Sequence, residues 1–307
     1  MKAPFAIDPY LTGIALTYKN GILIADSVLP RVPVGKKEYK YTLYSKGEEF
    51  QIPNTLVGRR GQTRQLELTG SDATGSCQDY GLEIGVPQDD IDNGGISKKP
   101  LDRAVIKIAD YVALSREQRV AALYMSTSSY AAGLSTTLSG SSQFSDATCD
   151  AVAAISAAID LPTMRPNTMT LGRSAWTGLR QNPAIVKAIH GNAGDKGLVS
   201  RQAVADLFEL KNLFVGESWL NGAKPGQTAS LSRVWGKHVS LTYIDPLADA
   251  ESGISFGWTA QFKDKLAWQK PDDSIGLRGG VMVRSGETVE ERIVANDCGY
   301  LFRNAVA

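Results

Sequence analysis

The chain has 307 residues, 43% hydrophobic and 21% charged, which is enough for one large or two medium globular domains with a hydrophobic core. Its 33 basic and 32 acidic residues give a formal net charge of +1, which excludes a protein that coats nucleic acid through a large basic surplus. The three cysteines are far apart and form no CxxC pair, so they exclude a disulfide framework and indicate a reducing compartment. The N-terminus is not a signal peptide, and no apolar run approaches the ~20 residues that span a bilayer.

The first third of the chain is predicted to be extended. Residues 1–35 mix short apolar stretches with three prolines, which predicts an arm with little helix. Residues 36–70 predict a long hairpin, because KKEYKYTLY and RQLELTG both alternate apolar with polar residues. Such a hairpin is not stable alone, so we expect it to lie against another surface. Residues 71–97 predict a loop with short strands.

A helix is predicted from Pro100, where proline suits the first turn. Four apolar residues then recur at helical spacing: Leu101, Val105, Ile108 and Val112. Ser115, Arg116 and Arg119 interrupt this stripe. One long helix through Met125 and two shorter helices in series are both compatible with the pattern.

The remaining chain alternates helical and strand patterns. Helices are predicted at 146–160, capped by Ser145 or Asp146, at 174–180, at 183–190 after Asn182, and after Ser200. Strands are predicted at 168–171, 213–215, 231–243 and 253–262. The last segment predicts two strands around a turn at Ser285 and Gly286, then an apolar tail packed into the peripheral-domain sheet defined below. The fold class is α+β.

No catalytic, cofactor-binding or metal-binding set is predicted. The string GISFG around Ser255 matches GxSxG, but both histidines, His190 and His238, precede this serine, whereas a hydrolase triad histidine follows it. A serine hydrolase using Ser255 is therefore a disfavoured alternative. Neither GxGxxG nor GxxxxGK[ST] occurs, and the dispersed cysteines and histidines predict no metal site.

The most informative local feature is a segregation of charge. Residues 36–64 carry seven basic and three acidic residues, a net charge of +4, and residues 65–97 carry seven acidic and no basic residues, a net charge of −7. Complementary patches of this kind can join identical subunits, although pairing within one chain is the simpler alternative. The predicted contact residues between subunits are Lys36, Lys37, Lys40, Lys46, Arg59, Arg60, Arg64, Asp72, Asp79, Glu83, Asp89, Asp90 and Asp92.

Several runs resemble one protein family. IADSVLPRVPVGKKEYKY, FQIPNTLVGRRG and CQDYGLEIGVPQDDID are similar, in order, to major capsid proteins of Mu-like, transposable siphophages and their relatives. The resemblance continues through MRPNTMTLGRSAWTGLRQNPAIVKAIHG, SLSRVWGKHVSLTY and the C-terminal residues, so it covers nearly the whole chain. It implies a non-enzymatic subunit that forms pentamers and hexamers of an icosahedral shell around the double-stranded DNA of a tailed phage.

The same resemblance implies the Hong Kong 97-like (Johnson) capsid fold. Its expected parts are an N-terminal arm (1–35), an extended loop (36–70), a peripheral domain (71–150 and 275–307) with a spine helix (100–125), and an axial domain (151–274). The chain starts directly at the arm, so we expect the scaffolding protein to be a separate chain. The other implied partners are a portal and, in some members, a decoration protein. The expected location is the virion, assembled in the host bacterial cytoplasm. An encapsulin-like compartment shell, which shares this fold, is the alternative.

Overall fold

The computed structural model describes residues 23–44, 50, 52, 54–59, 61–63, 65, 70–94, 99–191, 197–224, 226–248 and 253–307. Residues 1–22 of the predicted arm lie outside this part of the chain. The helices are α1 (Ala25–Val28), α2 (Gln88–Gly94), α3 (Pro100–Tyr124), α4 (Ala151–Ile159), α5 (Arg173–Leu179), α6 (Pro183–His190) and α7 (Arg201–Leu207). The strands are β1 (Arg31–Val34), β2 (Glu38–Tyr44), β3 (Gly70–Ser76), β4 (Gln78–Pro87), β5 (Ser135–Thr137), β6 (Thr168–Gly172), β7 (Asn212–Gly216), β8 (Trp219–Asn221), β9 (Leu231–Arg233), β10 (Val239–Thr242), β11 (Gly257–Phe262), β12 (Leu266–Asp272), β13 (Gly280–Ile293) and β14 (Gly299–Arg303).

Most of these strands belong to two five-stranded sheets. The spine sheet contains β1, β4, β11, β12 and β13, and β13 pairs with β4, β11 and β12. The tail sheet has the order β5-β14-β10-β6-β7. Two further pairs, β2 with β3 and β8 with β9, form two-stranded sheets.

Helix α3 connects both sheets. It is one uninterrupted helix of 25 residues, about 37 Å long at 1.5 Å per residue. Its N-terminal half buries Val105, Ile108 and Val112 in a cluster with residues of the spine sheet. Its C-terminal end buries Val120 and Tyr124 in a second cluster, which includes Leu301 of the tail sheet. This settles the choice between one helix and two in favour of one.

The largest cluster of buried hydrophobic residues lies between the tail sheet and the helices that pack on it. Buried residues of β6, β10 and β14 pack there with residues of α4, α5, α6 and α7. The predicted caps of α6 and α7 are confirmed, since Asn182 accepts a hydrogen bond from the backbone of Ala184 and Ser200 accepts one from Ala203. The predicted start of α4 is wrong. Asp150 is its N-cap, and Asp146 instead forms a local turn with Thr148.

The predicted hairpin has the correct first limb and the wrong second limb. Strand β2 pairs antiparallel with β3, residues 70–76, rather than with residues 64–70. The register places Tyr39 opposite Gly75 and Tyr41 opposite Ala73. Small residues opposite two buried tyrosines leave room for the rings, a requirement that alternation alone does not express. Residues 71–94, part of the segment predicted as a loop with short strands, contain the rest of β3 together with the ten-residue strand β4 and helix α2.

The predicted turn at Ser285 and Gly286 is also wrong, because both residues lie inside the 14-residue strand β13. Gly286 lies where β13 and β4 approach each other closely. A Cβ at this position would stand 2.5 Å from the backbone oxygen of Tyr80. The sequence alone does not distinguish a glycine that permits close strand packing from a glycine in a turn.

Sheet membership differs from the predicted division into domains at two places. Strands β11 and β12, predicted as axial, lie in the spine sheet with β13, which was predicted as peripheral. The tail residues Tyr300, Leu301 and Phe302, predicted to pack into the peripheral sheet, form β14 between β5 and β10 of the tail sheet. The tail is packed, as predicted. It pairs with β5, from the range predicted as peripheral, and with β10, from the range predicted as axial, because neighbours in sequence do not fix which sheet a strand joins.

Candidate assembly interface

The hairpin of β2 and β3 and the residues that flank it bring four of the predicted contact residues together within one chain. The ammonium of Lys37 lies 2.6 Å from Asp79 Oδ2, and that of Lys40 lies 3.4 Å from Asp72 Oδ2. Hydrogen bonds from Lys37 and Thr288 lower the pKa of Asp79 below its ordinary value. All four side chains of these two ion pairs are about half exposed or more, so each pair contributes little to stability.

The remaining basic residues are only partly described. Lys36 is exposed before β2, and Arg59 is exposed in a turn of the loop between β2 and β3. Lys46, Arg60 and Arg64 lie outside the described residues. The same loop exposes large apolar side chains, with 97% of Ile52, 85% of Leu56 and 63% of Phe50 accessible to water. Apolar groups exposed together in this way indicate a surface that another molecule covers.

The acidic positions beyond the hairpin follow the edge of the spine sheet. Glu83 of β4 accepts a hydrogen bond from Arg284 of β13, with 2.8 Å between its Oε2 and the arginine Nε. Asp89 of α2 lies 3.3 Å from Arg278. Asp90 and Asp92 are exposed on the same helix, and Gln88 donates a hydrogen bond to Asp92. Within the described residues, Asp90 makes no ion pair. The pairing of these acids with the basic loop of another subunit stays a prediction.

A carboxylate that the sequence analysis did not single out holds the base of the hairpin. Glu290 of β13 accepts hydrogen bonds at Oε2 from the phenol of Tyr39 (2.8 Å) and from the backbone N–H of Ser76 (2.8 Å). Its Oε1 accepts from Arg292, and Arg292 also donates to the phenol oxygen of Tyr41 (2.7 Å). Burial and the bond to Glu290 raise the pKa of Tyr39 well above its ordinary value, so its hydroxyl remains a donor at neutral pH.

A second carboxylate fastens residues 24–31 to α3. Glu117, fully buried, accepts hydrogen bonds from the backbone N–H groups of Ile24 and Ala25 and from the indole of Trp235. The adjacent Arg116, 2% exposed, donates to the backbone oxygen of Leu29 (3.3 Å). Burial lowers the pKa of this guanidinium, although Glu287 and Glu291 oppose the shift. Arg116, read as an interruption of the apolar stripe, is therefore part of the core.

Ser255, the candidate catalytic serine, lacks the exposed hydroxyl that a nucleophile requires, since only 4% of the residue is exposed. Its hydroxyl donates a hydrogen bond to the backbone oxygen of Gly257 (3.3 Å) and accepts one from the N–H of Asp245 (3.4 Å). His238 accepts a hydrogen bond at Nδ1 from the backbone of Asn304. Among the described residues, no group of three histidine, cysteine or acidic side chains is arranged to hold a metal ion, and no helix is long and apolar enough to cross a membrane.

Known proteins are similar in sequence to this chain over nearly its whole length. The chain is 47% identical over 306 residues to the major capsid protein of Pseudomonas phage JBD67, covering 100% of this chain and 99% of that protein. The chain belongs to the family of major capsid proteins of tailed phages. The capsid protein is also 28% identical to the major capsid protein of Burkholderia phage BcepMu, covering 96% and 95% of the two chains. No family model matches it.

Solved structures show the same fold for this capsid protein. It superposes on a phage-related protein from Bordetella bronchiseptica RB50 with a TM-score of 0.77 at 21% identity, covering 99% of both chains. The capsid of cyanophage P-SCSP1u matches with a TM-score of 0.59 at 10% identity, covering 92% and 88%. An encapsulin from Synechococcus elongatus PCC 7942 matches with a TM-score of 0.54 at 9% identity, covering 97% and 95%. The capsid protein has the predicted Hong Kong 97-like fold, and the phage assignment is confirmed by its sequence relatives. It is a structural protein of the phage capsid and so belongs to the virion.

Proposed function

We propose that the capsid protein assembles in the host bacterial cytoplasm, through pentamers and hexamers, into an icosahedral shell around double-stranded DNA. A separate scaffolding protein, a portal and a decoration protein are its candidate partners. We expect the inner surface of the shell not to be strongly basic, because the chain is almost neutral, so a motor has to drive DNA packing. We propose no catalytic role for the chain.

The observation that carries this proposal is the exposed loop between β2 and β3. A strand of seven residues is about 24 Å long, and the loop adds apolar side chains that are open to water. A neighbouring subunit is the surface that covers them in a shell. We propose that the basic loop of one subunit lies against the acidic segment, residues 72–92, of the next. Each exposed ion pair contributes ~0.2–1 kcal/mol, and a shell repeats the contact at every boundary.

The ion pairs within the chain show which charged residues are left to form the contact between subunits. Lys37 and Lys40 already lie beside Asp79 and Asp72, whereas Arg59 on the loop and Asp90 on α2 are exposed. We therefore expect the loop arginines, Arg59, Arg60 and Arg64, and the α2 acids to contribute most between subunits.

Charge reversal tests the contact. Changing Arg59, Arg60 and Arg64 to Glu is expected to block shell formation at low salt and leave the subunit folded, and adding Asp89, Asp90 and Asp92 changed to Lys is expected to restore it in part. The control changes Lys187, Lys211 and Lys224 to Glu, which alters net charge equally at exposed sites elsewhere. Shells from the arginine variant like those of the parent, or an equal loss in the control, contradict the contact.

The same preparation separates the phage shell from an encapsulin-like compartment. Particles that package double-stranded DNA when portal and motor are supplied support the phage assignment. Particles that admit only a cargo protein support the alternative.

A further inference from the structure

We propose that Glu290 is a positioning residue for assembly: it fixes the angle at which the β2–β3 hairpin leaves the spine sheet, and through that angle the curvature of the shell. The angle is a property of the single subunit, but its link to curvature rests on the proposed shell function.

The hairpin depends on side chains for its orientation. Within the described residues, β2 and β3 pair with each other and with no strand of the spine sheet. No backbone ladder fixes the angle between hairpin and sheet, so it is set by the two short chain links, residues 35–37 after β1 and Cys77 before β4, together with the side chains at the base. Glu290 bonds to both limbs, through Tyr39 of β2 and Ser76 of β3.

Arg292 completes the attachment. It donates two hydrogen bonds to Oε1 of Glu290 and one to the phenol of Tyr41, the second tyrosine of β2. The Glu290 side chain is 19% exposed and that of Arg292 is 30% exposed, so the pair is largely screened from water. Hydrogen bonds to charged groups in such surroundings are among the stronger ones in proteins.

The packing around Glu290 leaves one geometry for the tyrosine. A Cβ on Gly75 would stand 2.3 Å from the Tyr39 ring and 2.7 Å from Glu290 Oε2. On the other side, Trp258 holds both tyrosines, with 5.8 Å between its ring centroid and each of theirs. The phenol can therefore reach Glu290 only because position 75 has no side chain.

Small errors at this base are amplified along the hairpin. Over a strand of about 24 Å, a rotation of roughly 10° displaces the far end by about 4 Å. This exceeds the few tenths of an ångström over which a hydrogen bond keeps its strength. A subunit with a loose hairpin base would meet its neighbours at variable angles.

The test compares Glu290→Ala with Glu217→Ala, which removes a more exposed glutamate that pairs with Arg173 and Arg201 and lies outside both the hairpin base and the proposed interface. Amide hydrogen exchange is measured first in unassembled subunits. For Glu290→Ala we expect exchange at Ser76 to rise about tenfold or more, since a bond to a charged acceptor is lost. For Glu217→Ala we expect the parental rate, and Glu290→Gln, which keeps one acceptor oxygen, is expected to fall between the two.

The second measurement is particle size by electron microscopy. The parent and Glu217→Ala are expected to form shells of one diameter, and Glu290→Ala is expected to form mixed diameters or open sheets. Parental exchange in Glu290→Ala overturns the positioning role, and raised exchange with parental shells overturns its link to curvature. If Glu290→Ala fails to fold, Glu290→Gln replaces it, and parental exchange at Ser76 in that variant also overturns the role. A parent that forms no shells contradicts the proposed function, while the exchange result still decides the role of Glu290.

Discussion

Glu117 offers the sharpest stability prediction, because one buried carboxylate serves several donors. It accepts from the N–H groups of Ile24 (3.0 Å) and Ala25 (2.8 Å) and from the indole Nε1 of Trp235 (2.5 Å). The hydroxyl of Ser218 contributes a longer bond of 3.4 Å. Changing Glu117 to Ala leaves these donors without an acceptor in a site with no exposure to water.

The expected loss of unfolding free energy follows from the number of donors that lose their acceptor. Each buried donor that loses its partner costs about 1–3 kcal/mol. The three short bonds share one acceptor, and local relaxation admits some water, so their costs do not add in full. We expect Glu117→Ala to lower the free energy of unfolding by about 3–5 kcal/mol, a large part of the ~5–15 kcal/mol typical of a folded protein.

Urea unfolding of unassembled subunits, followed by tryptophan fluorescence, measures this change. Glu83→Ala is the control, and its exposed ion pair predicts a loss below about 1 kcal/mol. A loss from Glu117→Ala no larger than that of the control refutes the argument that this carboxylate fastens residues 24–31 to α3.

Three further predictions rest on other parts of the structure. Gly286→Ala is expected to lower the unfolding free energy by about 1–3 kcal/mol, because its Cβ meets the Tyr80 backbone, whereas Gly35→Ala, with open space around it, should change it by less than about 0.5 kcal/mol in the same urea assay. Deleting residues 300–307 removes an interior strand of the tail sheet and is expected to abolish soluble expression; a soluble, assembling truncation contradicts that packing. The lowered pKa of Asp79 means that its pair with Lys37 stabilises the fold above the ordinary aspartate pKa of about 3.9 and is lost as pH falls below it, so the small stability difference between the parent and Asp79→Asn should vanish in acid.

The elements that could be predicted from sequence are those whose signal is local. Pro100 and the apolar stripe after it identify α3, and Asn182 and Ser200 identify the starts of α6 and α7. Each of these signals depends on residues within one or two helical turns. The family resemblance supplied the overall fold, which no local pattern contains.

The features that the sequence analysis missed depend on partners far along the chain. Arg116 was interpreted as an interruption of the apolar stripe, but it binds the backbone of Leu29. Glu117, which the sequence analysis did not single out, binds the backbone of Ile24 and the indole of Trp235. Arg116 follows Val112 by four residues and so lies on the stripe itself. A charged residue at such a position is the one local sign of a buried partner.

The candidate interface also depends on partners that are far along the chain. The charge segregation was visible, but the sequence does not reveal that Lys37 and Lys40 have acidic neighbours in their own chain. Glu290 gave no signal, because its partners Tyr39 and Ser76 are more than two hundred residues away.

Electron cryo-microscopy of the purified, recombinant capsid protein, with scaffold supplied, tests the central claim most directly. We predict closed icosahedral shells of pentamers and hexamers, in which the loop between β2 and β3 of each subunit crosses residues 72–92 of its neighbour. Subunits that remain monomeric at high concentration contradict shell formation. Closed shells in which that loop contacts only its own subunit contradict the proposed interface.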